Sequence, residues 1–255
     1  QQELEIDQFL GIESFIYFSN LSQGASLNRN YGIERLLLSI SNLNACVIFA
    51  NDRSTYSEDS LSIARLFIKE HPNSIGIGSW KTPEGEFVMK PRIKYSNKTD
   101  LLTAYEPAFL VPSYLLKNGL RWNENLGPGP NTLYKSGDGA LFLFESMKMG
   151  ASLIPVPEFE VFNPLSNHNL KTRQMFVKSF NYGKGYLSYL RYVHLGFFSS
   201  RIRLIPYTVA PIIFFFLGKD YWRKNGIFWS VGSTLGRLVG LLSRNEFGEK
   251  NAARI

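Results

Sequence analysis

Two short blocks of this 255-residue chain, about 85 residues apart, carry the side chains best suited to chemistry. Asn51, Asp52 and Arg53 directly follow the apolar run Ala45-Cys46-Val47-Ile48-Phe49. Such a run reads as a buried strand, and in open α/β sheets ligands bind beyond the carboxyl ends of strands. The second block, Ser136-Gly137-Asp138-Gly139, opens the apolar stretch Gly139 to Met149. A helix N-terminus favours an ionised carboxylate, so Asp138 can accept a proton at neutral pH.

Other chemistries fit less well. His71, His168 and His194 are too scattered for a zinc site. No Ser-His-Asp set with a nucleophile elbow is visible. The stretch Gly127-Pro128-Gly129-Pro130 lacks the lysine of a phosphate loop. The single cysteine, Cys46, excludes a disulfide framework and reads as a small buried hydrophobe. Trp80 and Trp122 near strand ends are core residues or surfaces for sugar stacking.

These blocks need a scaffold, and the sequence describes one. A strand is expected over Glu13 to Ser19, a helix over Leu27 to Ser41 and a central strand over Ala45 to Ala50. A second helix spans Ser57 to His71, with Glu58 and Asp59 in its first turn and Pro72 beyond its end. Ile75 to Trp80 is the next strand, and Glu84-Gly85 marks a turn. Glu106 to Trp122 mixes strand and helix, the helix Gly139 to Met149 ends at Gly150, and Leu153 to Val156 is a further strand. Strand and helix alternate, which predicts an α/β domain with a mixed, mostly parallel sheet flanked by helices.

The order of the blocks resembles family 2 glycosyltransferases of the GT-A type. Asn28-Arg29-Asn30-Tyr31-Gly32-Ile33 leads a helix into the first strand and its polar end. Much later, Leu120-Arg121-Trp122-Asn123-Glu124-Asn125-Leu126-Gly127 precedes Ser136-Gly137-Asp138-Gly139 and its helix. Tyr182-Gly183-Lys184-Gly185-Tyr186 looks like the glycine-aromatic stretch that follows the catalytic domain in many members. The resemblance covers roughly residues 14 to 190 and implies a Rossmann-like GT-A fold. It implies that Asn28, Arg29, Asn30, Asn51, Asp52 and Arg53 lie against the nucleotide of a nucleotide-diphosphate sugar. It implies a divalent metal, Mg²⁺ or Mn²⁺, at Asp52, and a catalytic carboxylate in the second block.

The chain departs from the family pattern at its chemical positions. Where three aspartates are common, only Asp52 is a carboxylate, and Arg53 can itself meet a diphosphate. In the Gly-Glu-Asp block, Asp138 takes the glutamate position and Gly139 the aspartate position, so Asp138 is the substitute base. The family's opening strand is absent, so residues 1–170 read as an N-terminally incomplete transferase domain. The implied function is sugar transfer, with inversion, to a glycan or lipid-linked acceptor in surface polysaccharide synthesis. The alternative is a GT-A-like protein that binds a sugar nucleotide or glycan with impaired catalysis.

The net charge of +7 is unevenly spread. Residues 171–255 hold 14 Lys and Arg against 3 Asp and Glu, whereas the rest is mildly acidic. That asymmetry argues against a nucleic-acid-coating protein and for one basic surface facing something anionic. The same third contains two apolar stretches, Leu204 to Leu217 and Gly226 to Leu242, separated by Lys219-Asp220-Tyr221-Trp222-Arg223-Lys224. The first is shorter than the ~20 residues a membrane span needs. Apolar segments bordered by Arg, Lys, Trp and Tyr predict helices lying in a membrane interface, so the extension is expected to sit peripherally on the cytoplasmic face of an anionic membrane. A helical pair packed on the α/β domain is the other outcome.

Overall fold

The computed structural model describes residues 24–39, 45–51, 53–95, 97–129, 132–164, 170–193 and 199–243. The expected strand at Glu13 to Ser19 and the histidines His168 and His194 lie outside them. The chain opens with helix α1 (Ala25–Ser39), strands β1 (Cys46–Val47) and β2 (Thr55–Tyr56), and helix α2 (Ser60–Glu70). In α2, Ala64, Phe67 and Ile68 fall on one face at spacings of three and four, and all are buried. Strand β3 (Ser74–Lys81) and the short β4 (Phe87–Met89) form a hairpin whose turn uses a positive φ at Gly85, as the Glu84-Gly85 pair suggests. Two 3-10 turns, Asp100–Thr103 and Glu106–Ala108, lead into β5 (Phe109–Pro112) and α3 (Ser113–Lys117). Then come α4 (Asp138–Lys148), stopped at Gly150 with its positive φ, and the long strand β6 (Ser152–Phe162).

The sheet runs β1-β5-β3-β6-β2, with β4 branching from β3. The fold is mixed α/β, but the sheet is not mostly parallel: only β3 and β6 pair in parallel, and the four other pairings are antiparallel. The cause is β5. Alternation correctly orients β1 and β3 alike, yet β5 inserts between them with the opposite direction. The strand at Cys46–Val47 is also not central, since among the described residues it borders only β5. Where β6 bulges between Pro155 and Glu160, the Phe159 carbonyl comes so close to β3 that a Cβ on Gly78 would stand 2.2 Å from it. No other residue fits there.

One core cluster joins Ile33 of α1, Ile75 and Ile77 of β3, Phe109 and Val111 of β5, and Phe142 of α4. Burying each such side chain contributes about 1.5–3 kcal/mol. The cluster continues into the C-terminal third through Leu187, Tyr189, Leu190 and Val193 of α5 (Thr172–Val193). Two more helices follow, α6 (Ser199–Phe216) and α7 (Asp220–Leu242), the latter kinked at Gly226. Helices α5 and α7 touch through small residues. A Cβ on Gly236 would stand 1.9 Å from the Phe180 carbonyl, and one on Gly183 2.3 Å from that of Ser233. Arg237, buried in the same layer, donates to the Tyr207 carbonyl at 2.6 Å. That carbonyl is the acceptor left without its helical N–H by Pro211. The guanidinium also lies 4.0 Å from the centre of the Tyr186 ring, and burial lowers its pKa to about 10. Among the described residues, no helix is long and apolar enough to cross a membrane.

Candidate functional site

One edge of the sheet gathers the carboxyl ends of β1, β3 and β6 with the amino ends of β2 and β5. Tyr105, just before β5, is its node. Its ring stacks on Trp80 at 4.3 Å, and its hydroxyl accepts from Asn51 Nδ2 at 3.2 Å and from Asn163 Nδ2. Burial raises the phenol pKa, opposed by the Asn163 and Asn51 hydrogen bonds. Trp80 is fixed in turn by its indole N–H to the Asn163 carbonyl at 3.0 Å. Asn51 is thereby tied to the residue next to Glu106.

The charged centre lies where α1 meets α4. Asp138 begins α4 after Gly137, whose left-handed φ of 90° caps the helix. Its carboxylate is almost wholly buried and accepts from Arg29 Nη1 at 3.0 Å. Gly127 leaves the space for it, since a Cβ there would lie 2.6 Å from Asp138 Oδ2. The Arg29 guanidinium sits 4.2 Å above the Trp122 ring, which Phe142 stacks at 4.2 Å and Phe49 meets edge-on at 5.1 Å. Trp122 is therefore a buried core residue rather than a sugar platform.

Glu106 completes the centre, and the sequence blocks do not contain it. Its side chain lies against Gly139 and accepts the Gly139 N–H. Burial, then the charge of Asp138, raises its pKa from 4.5 to about 7, with Arg29 working against both. On α5, Tyr182 faces this pair: desolvation of its hydroxyl, then the charges of Glu106 and Asp138, push it up to about 12. Lys178, one turn earlier, has its Nζ 5.7 Å from the Tyr182 ring centre, and its pKa is lowered by burial and then by Arg53. The glycine-aromatic stretch is thus a wall of the site. Ser136 Oγ donates to the Tyr182 carbonyl at 2.8 Å, and a Cβ on Gly185 would stand 2.5 Å from the Ser136 carbonyl.

The expected site residues separate accordingly. Arg29 and Asp138, 109 positions apart, meet directly. Asn28 is half-buried on α1 one residue before Arg29. Asn30 is spent on the 122–124 segment, bridging the Trp122 backbone at 2.8 Å and Glu124 Oε1 at 3.0 Å. Asn51 joins Tyr105, and Arg53 is exposed beside Lys178. Asp52 lies outside the described residues. Among the described residues no three acidic, histidine or cysteine side chains group as metal ligands. Asp138 and Glu106 are engaged by Arg29 and by the Gly139 N–H. The described donors therefore do not fit a metal centre.

A mixed α/β sheet with two buried carboxyls and a half-buried arginine beside its strand ends is the class of site this chain presents. No family model and no curated protein matches the chain. Among solved structures it is similar to S. aureus TarS 1-349, at 14% identity and a TM-score of 0.47, over 88% of this chain and 63% of that one. It thus spans less than two thirds of that neighbour's length. TarS 1-349 in complex with UDP matches at 14% identity and a TM-score of 0.43, over 90% and 72% of the two chains. A further TarS structure matches at 16% identity and a TM-score of 0.40, over 89% and 44%.

Proposed function

We propose that this chain transfers a sugar from a nucleotide-diphosphate sugar to a hydroxyl of a glycan or lipid-linked acceptor in surface polysaccharide synthesis, inverting the anomeric carbon. The observation that carries the reading is the meeting of Arg29, Asp138 and Glu106 at the first turn of α4. Inverting transfer needs positive charge where the diphosphate departs and a carboxylate where the acceptor hydroxyl loses its proton. Arg53 and Lys178 supply cationic groups on the side of Tyr182, and Asn51 with Tyr105 supplies polar edges for the donor. Asp52 is the residue proposed to meet a Mg²⁺ or Mn²⁺ carried in with the donor phosphates. No step here depends on it.

A lipid-linked acceptor suits the outer surface of the C-terminal helices. Phe214, Phe216, Leu217, Tyr221 and Phe228 are exposed around the α6–α7 junction, beside exposed Lys219 and Arg223. An apolar face with a basic collar favours the cytoplasmic face of an anionic membrane. A second reading, binding without transfer, is favoured by the burial of Asp138 in its ion pair. Calorimetry with a panel of uridine, guanosine and thymidine diphosphate sugars, followed by assays for nucleoside diphosphate release, tests both. Donor binding with release supports transfer, binding without release supports the second reading, and no binding defeats both.

A further inference from the structure

The Gly139 position is where the resemblance to family 2 glycosyltransferases expects the catalytic aspartate, and a glycine cannot do that work. The space beside it is nevertheless filled by a carboxyl. A Cβ built on Gly139 would lie 2.5 Å from Glu106 Cγ, 2.9 Å from Cδ and 2.7 Å from Oε1. The side chain that residue 139 lacks and the side chain of Glu106 therefore compete for one volume. Glu106 reaches it from a different element, the 3-10 turn before β5, and is anchored there by the Gly139 N–H. Asp138 is differently placed. Its carboxylate is buried, paired with Arg29 at 3.0 Å and pressed against Gly127, whereas Glu106 is held by the Gly139 backbone N–H.

We infer that Glu106 has taken over the role of the missing aspartate and is the proton acceptor of the transfer, while Asp138 positions Arg29. The inference rests on the transferase reading above. In the step, the acceptor hydroxyl gives its proton to the Glu106 carboxylate as its oxygen bonds to the anomeric carbon. The bond from that carbon to the diphosphate oxygen breaks, and its electron pair leaves with the nucleoside diphosphate. Glu106 then returns the proton to solvent. The groups facing Glu106 are Arg29 of α1, Asp138 of α4, Tyr182 of α5 and the neighbouring Tyr105. A pKa of about 7 leaves a useful ionised fraction and a base strong enough to take the proton near neutrality.

The test is a swap in the full-length protein, read as nucleoside diphosphate release from the same panel of donors, with melting temperature alongside. Glu106→Gln should lower release by about 10²-fold or more, the usual scale for losing a general base, with donor affinity unchanged. Gly139→Asp alone should lower the melting temperature, because its side chain must enter occupied space. Glu106→Ala combined with Gly139→Asp should melt higher than Gly139→Asp alone and release at least tenfold faster than Glu106→Ala alone. Release by Glu106→Gln within twofold of wild type would overturn the inference and leave the transferase reading standing. So would a double variant with neither recovery. Wild-type protein that releases nothing from any donor would overturn the reading and the inference together.

Discussion

Glu106→Gln keeps the shape of the side chain and removes its titration, which makes its effect on stability a direct probe of the buried centre. The folded chain holds the carboxyl near 7, against 4.5 in the unconstrained state. Between those values the folded state retains a proton that the unfolded state has released. Stability therefore falls as pH rises through that window and stays at the lower level above it. At about 1.4 kcal/mol per pKa unit, the ionised carboxyl costs on the order of 3 kcal/mol above the window. Glu106→Gln escapes that cost. Its stability should equal that of wild type near pH 4.5 and exceed it by roughly 3 kcal/mol near pH 8. For a chain of this size that is a rise of about 6–12 °C in melting temperature. Urea and thermal unfolding of both proteins, at unit pH steps, measure the difference. An advantage that is flat with pH, or that grows towards acid, would refute the account of why Glu106 is protonated.

Asp138→Asn removes a negative charge that raises the Glu106 pKa, so the acid limb of the pH–rate profile should move to lower pH; an unmoved limb would separate the two carboxyls. The same variant leaves the half-buried Arg29 without its acid, and urea titration should register a loss of about 1–3 kcal/mol. Gly236→Ala should destabilise by about 1–3 kcal/mol because its Cβ meets the Phe180 backbone. Gly32→Ala, in α1 with open space around it, should stabilise by about 0.5–1 kcal/mol; thermal melts that rank the two the other way would contradict the packing described. Lys219→Glu with Arg223→Glu should weaken sedimentation with anionic vesicles by roughly 30-fold or more, at ~1 kcal/mol for each basic group lost. Binding indifferent to anionic lipid would leave the C-terminal helices as packing alone.

The helices and the β3–β4 turn were legible because their signals are local. Ala64, Phe67 and Ile68 repeat at helical spacing, and Gly85 and Gly150 mark chain reversals by their positive φ. Sheet order was not legible, since which strand inserts between β1 and β3 is decided by packing of β5, whose own four residues are simply apolar. Within the site, Asp138 could be read from its place before a helix and Arg29 from the block at the start of α1. Glu106 could not. It stands alone in Tyr105-Glu106-Pro107, with no motif around it, and only the volume beside Gly139 reveals its use. The gap left by a glycine where an aspartate was expected was the available signal, and it does not say which carboxyl fills the space.

Arg237 and Pro211 bear on the order in which this chain can change. The arginine is needed at the Tyr207 carbonyl because the proline deprives that carbonyl of its helical partner. A lineage that first lost Pro211 would regain the backbone bond and could then replace Arg237 with an apolar residue at little cost. A lineage that lost Arg237 first would leave a part-buried carbonyl without that donor and be held back at that step. The two positions therefore form a one-way path, and a library varying both should yield Arg237 replacements only among members that have already lost the proline.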